Sequence, residues 1–336
     1  MVTVSVIVPC YNEEATIAQL LEAISCQTYP LQDIEVVIAD GLSTDRTRDK
    51  INSFATDHPL LEVRIVDNLR RVIPSGLNRA IEAAKGKYIL RMDAHSIPNP
   101  TYIEKCIAGL EQKHGDNVGG VWKIQPSGST WMAKSIAVAA AHPLGAGDAR
   151  YRIGGTTAQE VETVPFGAYR REIFDKIGFY DEDLLSNEDY ELNVRLKQSG
   201  GKIWMDPEIQ SIYFARANLR DLSRQYWRYG YWKAQMLRKH PNTLRWRQFV
   251  PPLFVLTLLG LAVLSFPFVL ARWLFAIIVI LYTIIMLTIG LMMSLKHKNI
   301  SLISGVPLAT ATIHISWGSA FLWSLISSPK KADGRR

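Results

Sequence analysis

The 336-residue chain has only three cysteines, Cys10, Cys26 and Cys106. Their odd number and scattered spacing exclude a disulfide framework and a cysteine metal site. A reducing, cytosolic setting for the first part of the chain fits that usage. No G-x-G-x-x-G follows the first apolar run and no G-x-x-x-x-G-K-[ST] occurs, so the dinucleotide and P-loop fingerprints are both missing. The N-terminus lacks a basic segment ahead of a long apolar stretch, so no signal peptide is expected. Charge is unevenly spread. Asp221 is the only acid from 216 to 248, and residues 249–326 are almost free of charge. A soluble core does not need so long an uncharged stretch. Much of the net charge of +7 lies just before it. That placement predicts a membrane surface or a phosphate-bearing partner, and no nucleic acid.

What is present up to residue 248 reads as a soluble globular sequence. "VTVSVIVPCYNEE" (2–14) is rich in β-branched residues and turns at Pro9. Ile17, Leu20, Leu21 and Ile24 then recur at helical spacing, with Glu13 and Glu14 expected in the helix's first turn. Strands are expected at 34–40, 61–68 and 87–94, with helices from about Thr44 and over Ser75–Lys85. This alternation predicts a parallel sheet covered by helices on both faces. Ligands of such sheets bind at the carboxyl ends of the strands. Asn12, Asp40 and Asp93 each fall at such an end, which is the reason to treat them as one site. The Gly-rich stretch around 145–155 reads as a mobile loop or lid. A further helix is expected from about Ser186 to Gly200.

Arg216, Arg220, Arg224 and Arg228 are spaced by four and form one stripe on a helix, interleaved with Tyr226, Trp227, Tyr229, Tyr231 and Trp232. Cations mixed with aromatics ahead of an apolar span suit an interfacial helix. Three spans are expected, at about 250–271, 273–295 and 302–326, the first two forming a tight hairpin around Arg272. The third is the weakest, because it carries His314, two glycines and several Ser/Thr. The expected division is therefore 1–215 catalytic, 216–248 interfacial, 249–328 membrane and 329–336 a basic tail.

Several short motifs carry chemistry. In "PCYNEE" (9–14), Pro9 ends the strand, Tyr11 and Asn12 can offer a ring face and an amide to a nucleobase, and Glu13 can accept from a ribose hydroxyl. A plain strand-to-helix turn explains the same residues. In "DGLSTDRT", Asp40 can accept an N–H from a uracil ring, while Ser43 or Thr44 caps the next helix. In "RMDAHS", Asp93 and His95 can hold a divalent ion, Mn²⁺ or Mg²⁺, at the end of a strand. A capped turn with a satisfied histidine is the alternative. In "SNEDYE", a carboxylate at the helix start, Glu188 or Asp189, can serve as a general base. Ser186-x-x-Asp189 also resembles a capping box.

These segments, with "QYWRY" (225–229), occur in the order found in family 2 inverting glycosyltransferases, and residues 3–232 resemble that family. The resemblance implies a GT-A fold: an α/β, Rossmann-like mixed sheet, here followed by C-terminal transmembrane helices. The "DAH" form, "VPFGAYRREIF" and the apolar tail look most like the membrane-bound succinoglycan-type exopolysaccharide glucosyltransferases. The resemblance implies that Pro9, Tyr11, Asn12, Glu13, Asp40, Asn78 and Asp93 line a nucleotide-sugar pocket, that the Asp93 corner binds the ion, and that Asp189 is the base. It assigns Gln225, Arg228 and Tyr229 to the acceptor and diphosphate.

The expected enzyme is multi-pass in the inner membrane, with its catalytic domain cytosolic. It would transfer a sugar, glucose from UDP-glucose, onto a polyprenyl-diphosphate-linked oligosaccharide, alongside other polysaccharide-assembly enzymes. The competing readings are a polyprenyl-phosphate sugar synthase, a processive synthase and an inactive nucleotide-binding scaffold.

Overall fold

The computed structural model describes residues 2–243 and 245–327, without the Asn242 side chain; the expected basic tail at 329–336 lies outside them. The chain falls into two compact units. One runs to Lys123 and resumes over Gly154–Tyr213; the other takes Ile124–Ile153 and the chain from Phe214.

The first unit is built on a mixed sheet. Strands β1 (Val4–Cys10), β2 (Ile34–Asp40), β3 (Glu62–Asp67) and β4 (Tyr88–Arg91) alternate with helices α1 (Ile17–Ser25), α2 (Thr47–Asp57) and α3 (Ile73–Ala83). Their pairings are parallel, with β1 between β2 and β4. β2 and β4 are buried along their whole length, which is why their sequences are nearly continuous apolar runs. β5 (Ile97–Pro98), α4 (Tyr102–Glu111) and β6 (Asn117–Pro126) follow.

Between β6 and the next strand the chain forms three helices of the second unit: α5 (Trp131–Ala141), α6 (Pro143–Ala146) and α7 (Arg150–Ile153). The stretch expected as a Gly-rich loop thus contains two single helical turns, the first opened by Pro143 and stopped by Gly147 at φ 65°. The sheet then takes up β7 (Gln159–Glu160), β8 (Ala168–Arg170) and β9 (Ile203–Ala215), with α8 (Glu172–Ile177) and α9 (Glu188–Gln198) between the last two. The strand order is β3-β2-β1-β4-β8-β6-β9-β5, with β7 on β9. β4–β8, β6–β8, β5–β9 and β7–β9 are antiparallel, so the sheet is parallel on one side only.

Register places the site. Cys10 pairs with Asp40 and Asp40 with Asp67, so the ends of three strands lie level. Arg91 pairs with Ile7, which carries Met92 and Asp93 just past the end of β4.

The second unit is helical. Its long helices are α10 (Leu219–Lys239), α11 (Val250–Leu264), α12 (Val269–His297) and α13 (Leu302–Ile326); α13 packs against the other three and against α5. Pro251 and Pro252 sit in the first turn of α11, where their missing N–H groups cost nothing. Among the described residues, two helices are long and apolar enough to cross a membrane, over Trp246–Leu264 and Val269–His297. α12 alone extends for about 43 Å at 1.5 Å per residue, more than a hydrocarbon core of about 30 Å.

Two expectations change here. Arg272 does not separate the spans but lies inside α12, where its Nε and Nη2 donate to the Ser265 and Phe266 carbonyls ending α11. The third expected span, α13, is not one of the two apolar helices. Its small and polar residues face inward instead: Gly305, Thr310, Ser316, Gly318 and Ser324 are all buried. A Cβ on Gly318 would lie 2.5 Å from the Pro251 carbonyl oxygen, so α11 and α13 approach backbone to backbone.

Candidate active site

The rim formed by the ends of β1, β2 and β4 gathers most of the expected nucleotide residues. Asp40 is fully buried. Its carboxylate accepts from Ser43 N (3.0 Å), Ser43 Oγ (2.5 Å) and Arg48 Nε (2.5 Å). Arg48 also reaches Asp67, and the two carboxylates raise the guanidinium's pKa, Asp67 more than Asp40. Asp40 therefore holds the β2–α2 loop in shape, and α2 begins at Thr47 rather than Thr44. Neither Ser43 nor Thr44 takes the expected capping role; Asp45 accepts from Thr47 N and Oγ1 instead.

Asn12, at φ 53°, clasps the same loop: its N–H donates to Ser43 Oγ (2.8 Å) and its Oδ1 accepts from Thr44 N (2.9 Å). Asn side chains tolerate this left-handed backbone better than most. Tyr11 is 43% exposed, and a Cβ on Gly41 would come within 3.1 Å of its ring, so glycine there leaves room for the tyrosine. Glu13 and Glu14 lie in a turn ahead of α1, which starts at Ile17; its first turn holds no acid, contrary to expectation. Glu14 instead accepts from Arg46 N (2.9 Å) across the loop.

His95 Nδ1 faces Glu13 Oε1 at 3.3 Å. Burial works to raise the Glu13 pKa, but hydrogen bonds from His95 and Thr16 outweigh it and lower it. Among the described residues no group of three His, Cys, Asp or Glu could hold a metal by itself. Asp93 keeps 29% of its side chain exposed and His95 46%. That donor set fits a hard cation only where a diphosphate supplies most of the shell.

Behind this rim lies a residue that the sequence reading passed over. Arg91 ends β4 with its side chain 6% exposed. Its guanidinium forms ion pairs with Asp189, with Glu188 (3.2 Å) and with Asp93 (3.1 Å). It thus joins the expected metal corner to the expected base. The signal was a lone cation closing an otherwise apolar strand, in "YILR". Enclosure, joined by Glu188 and Asp93 and opposed by Arg91, raises the Asp189 pKa to about 7.

α9 starts at Glu188, with Asn187 at the N-cap in the left-handed conformation (φ 67°, ψ 18°), so Ser186 is not the capping residue. Other groups set this helix's position. Asn117 Nδ2 donates to Tyr169 OH and to Asn193 Oδ1, both at 2.8 Å, tying α9 to the sheet. Glu191 pairs with Arg195, which in turn donates to the carbonyls of Ile177, Gly178 and Phe179. Asn78 is buried on α3. It donates to Tyr180 O (3.0 Å) and Glu182 Oε1 (3.0 Å) and accepts from Tyr180 N (2.9 Å), fixing the segment that leads into α9.

Gln225, Arg228 and Tyr229 belong to α10, in the second unit. Gln225 is buried; its Oε1 accepts from Arg216 Nε (3.3 Å) and its Nε2 donates to Tyr229 OH (2.9 Å). Arg228 is exposed, with its guanidinium 6.0 Å from the Tyr229 ring centre. α10 begins at Leu219, so the helical stripe comprises Arg220, Arg224 and Arg228, and Arg216 precedes it.

Comparison with known proteins gives a consistent picture. The family described as glycosyl transferase family 2 matches residues 5–178. The succinoglycan biosynthesis protein ExoA of Rhizobium meliloti is 32% identical over 96% of this chain and 94% of its own length. The dolichyl N-acetyl-alpha-D-glucosaminyl phosphate 3-beta-D-2,3-diacetamido-2,3-dideoxy-beta-D-glucuronosyltransferase of Methanococcus voltae is 29% identical over 72% of this chain and 76% of its own. Among solved structures, the mannosyltransferase PcManGT from Pyrobaculum calidifontis, in complex with GDP-Man and Mn²⁺, aligns with a TM-score of 0.63. It is 20% identical and covers 92% of this chain and 86% of that one. That likeness shows the fold, the GT-A arrangement of a mixed α/β sheet.

Proposed function

The chain belongs to glycosyl transferase family 2, and from that premise we propose a membrane-anchored inverting enzyme that moves a sugar from a UDP-sugar onto a lipid-linked saccharide. Glucose from UDP-glucose is the donor this reading favours, and a polyprenyl-diphosphate-linked oligosaccharide of exopolysaccharide assembly is the acceptor. The name of the Rhizobium relative supports the pathway class. The Methanococcus relative's name, which includes a dolichyl-linked sugar phosphate, supports a lipid-linked acceptor. The apolar helices α11 and α12 support anchoring.

The observation that carries the mechanism is the placement of Asp189 beside Asp93 on one guanidinium. An inverting transfer needs a carboxylate to take the acceptor hydroxyl's proton as that oxygen attacks the anomeric carbon. A pKa near neutrality makes Asp189 a stronger base than an ordinary aspartate while leaving it substantially ionised. Glu188 is more enclosed than Asp189, at 9% against 31% exposure, which favours Asp189 for contact with substrate. Tyr11 offers its exposed ring face to the base. Asp40, which shapes the loop beside Tyr11 and Asn12, is the proposed acceptor for a uracil N–H. Asp93 and His95 would hold a divalent cation, Mn²⁺ or Mg²⁺, which when bound supplies charge against the departing diphosphate.

The test offers the purified, detergent-solubilised protein a panel of UDP- and GDP-sugars with extracted lipid-linked acceptors. Metal-dependent UDP release with label in the lipid fraction is expected, with a β-linkage from an α-linked donor. Transfer only to polyprenyl phosphate, or none with any donor, would overturn the proposal.

A further inference from the structure

The layer between α9 and the sheet holds a pair of buried amides that the mechanism above does not use. Asn117, on β6, is fully buried, and Asn193, on α9, is 1% exposed. Asn117 Nδ2 donates to Asn193 Oδ1 (2.8 Å), and Asn193 Nδ2 donates to Thr163 Oγ1 (2.9 Å). Burying amides costs stability unless they are paired, and two leucines would fill a similar space without that demand. What an amide pair adds is direction. A hydrogen bond across the layer holds the helix at one rotation, whereas apolar contacts are non-directional.

Rotation matters because Glu188 and Asp189 are neighbours. Consecutive residues of a helix differ by about 100°, so a small turn of α9 would exchange one carboxylate for the other at the rim. Asn193 lies one turn beyond Asp189, toward the same side of α9. Asp189 is held at its turn by the Arg91 ion pair and Asn193 at the next by Asn117. The two holds are joined just ahead of β8. The Arg91 N–H donates to Gly167 O (3.1 Å), and a Cβ on Gly167 would overlap the Asn117 side-chain oxygen. Contacts therefore run from Arg91 through Gly167, Asn117 and Asn193 to Asp189, and back to Arg91.

We propose that Asn117 and Asn193 are positioning residues for the transfer: their hydrogen bond sets the rotation of α9 that presents Asp189, rather than Glu188, to the acceptor hydroxyl. This rests on the reading of Asp189 as the base, and it names the groups that aim it.

The experiment compares the full parent chain with Asn193→Leu, Asn117→Leu/Asn193→Leu and Gly167→Ala. Asn193→Leu should lower kcat by about 10–100-fold, the scale of a small misplacement of a reacting group, with KM for the UDP-sugar within about twofold. Its thermal midpoint should fall, because the Asn117 amide loses its partner. The double variant should recover much of the midpoint but not kcat, since burial is restored and direction is not. A kcat that returned with the midpoint would show a structural role alone and overturn the proposal, as would an unchanged kcat in Asn193→Leu. Gly167→Ala keeps both amides and should lower kcat by displacing Asn117. UDP binding by each variant, measured in parallel, reports that the fold is intact. Amide hydrogen exchange over the first turn of α9 needs neither donor nor acceptor. It should quicken by about tenfold in Asn193→Leu and in the double variant. A parent chain that transfers no sugar would defeat the reading of the base, while this exchange still decides whether the pair holds α9. Unchanged exchange would overturn the inference by itself.

Discussion

The Arg91 guanidinium forms an ion pair with the Asp189 carboxylate, linking the end of β4 to the first turn of α9. The two residues are far apart in sequence, and the contact brings the candidate base to the rim where Asp93 also lies. Removing one partner of an enclosed pair leaves the other charge uncompensated. Arg91→Met should therefore lower stability by about 3–5 kcal/mol, read as a fall in thermal midpoint. It leaves Glu188, Asp189 and Asp93 crowded without a cation. Arg91→Met/Asp189→Asn should recover part of the loss, because one of the repelling carboxylates is then neutral.

Asp189→Asn keeps the side chain's shape and removes its basicity. Transfer should fall by about 10²–10⁴-fold, the range for a lost general base. UDP affinity should stay within about threefold of the parent chain, since the role proposed for Asp189 is toward the acceptor rather than the nucleotide. Equal turnover of the variant and the parent would remove Asp189 from the mechanism. Turnover lost instead in Glu188→Gln would pass the role to its neighbour.

The raised Asp189 pKa sets a direction for pH dependence. The base works only when ionised, so the rate should fall as pH drops through about 7. The stability contribution runs the other way. The folded carboxyl holds its proton more tightly than the unfolded one, so its contribution is complete below the unfolded pKa near 4 and is lost as pH rises through about 7. A pH–rate profile for the parent chain, beside a pH series of thermal midpoints for the parent and Asp189→Asn, checks both signs. An acid limb near pH 4 would show that Arg91 outweighs the enclosure.

Asp93 and His95 make separable predictions. Asp93→Asn should reduce metal-dependent transfer by more than about 100-fold, because it removes the carboxylate of the expected donor pair. His95→Ala should raise the Mn²⁺ concentration for half-maximal rate by about 10–100-fold, the range for losing a supporting interaction at a metal site. An unchanged Mn²⁺ requirement in His95→Ala would confine His95 to its contact with Glu13.

Legibility in the sequence followed the range of the interactions. The strand ends carrying Asp40 and Asp93 were readable because buried parallel strands write themselves as apolar runs. The family and GT-A readings rested on those runs and on the order of the motifs. Arg91 was in plain view in "RMDAHS", yet its partners on α9 come from a distant segment and no local pattern announces them. The grouping of Ile124–Ile153 with the C-terminal helices was hidden for the same reason. A Cβ on Gly305 would lie 2.0 Å from Ser135 Oγ, so α5 and α13 meet through small residues that carry little hydrophobic signal. Boundaries failed where a side chain from elsewhere decided them, as where Asn12 shapes the loop before α2.

Asn78 tests whether the approach to α9 needs its clasp. Its amide makes three hydrogen bonds to Tyr180 and Glu182. Glu182 is held in turn by Arg70 (2.6 Å). Asn78→Ala would leave the buried Tyr180 N–H without its acceptor, at a cost of about 1–3 kcal/mol. Arg70→Ala breaks a pair that is 44% exposed on the arginine side and should cost less than about 1 kcal/mol. The catalytic consequence should follow the same order, because Asp189 takes its place from the segment that Asn78 fixes. Asn78→Ala should lower kcat more than it raises KM for the UDP-sugar, whereas Arg70→Ala should leave both nearly unchanged. If Asn78→Ala instead raised KM alone, the residue would support the nucleotide pocket directly rather than the position of the base.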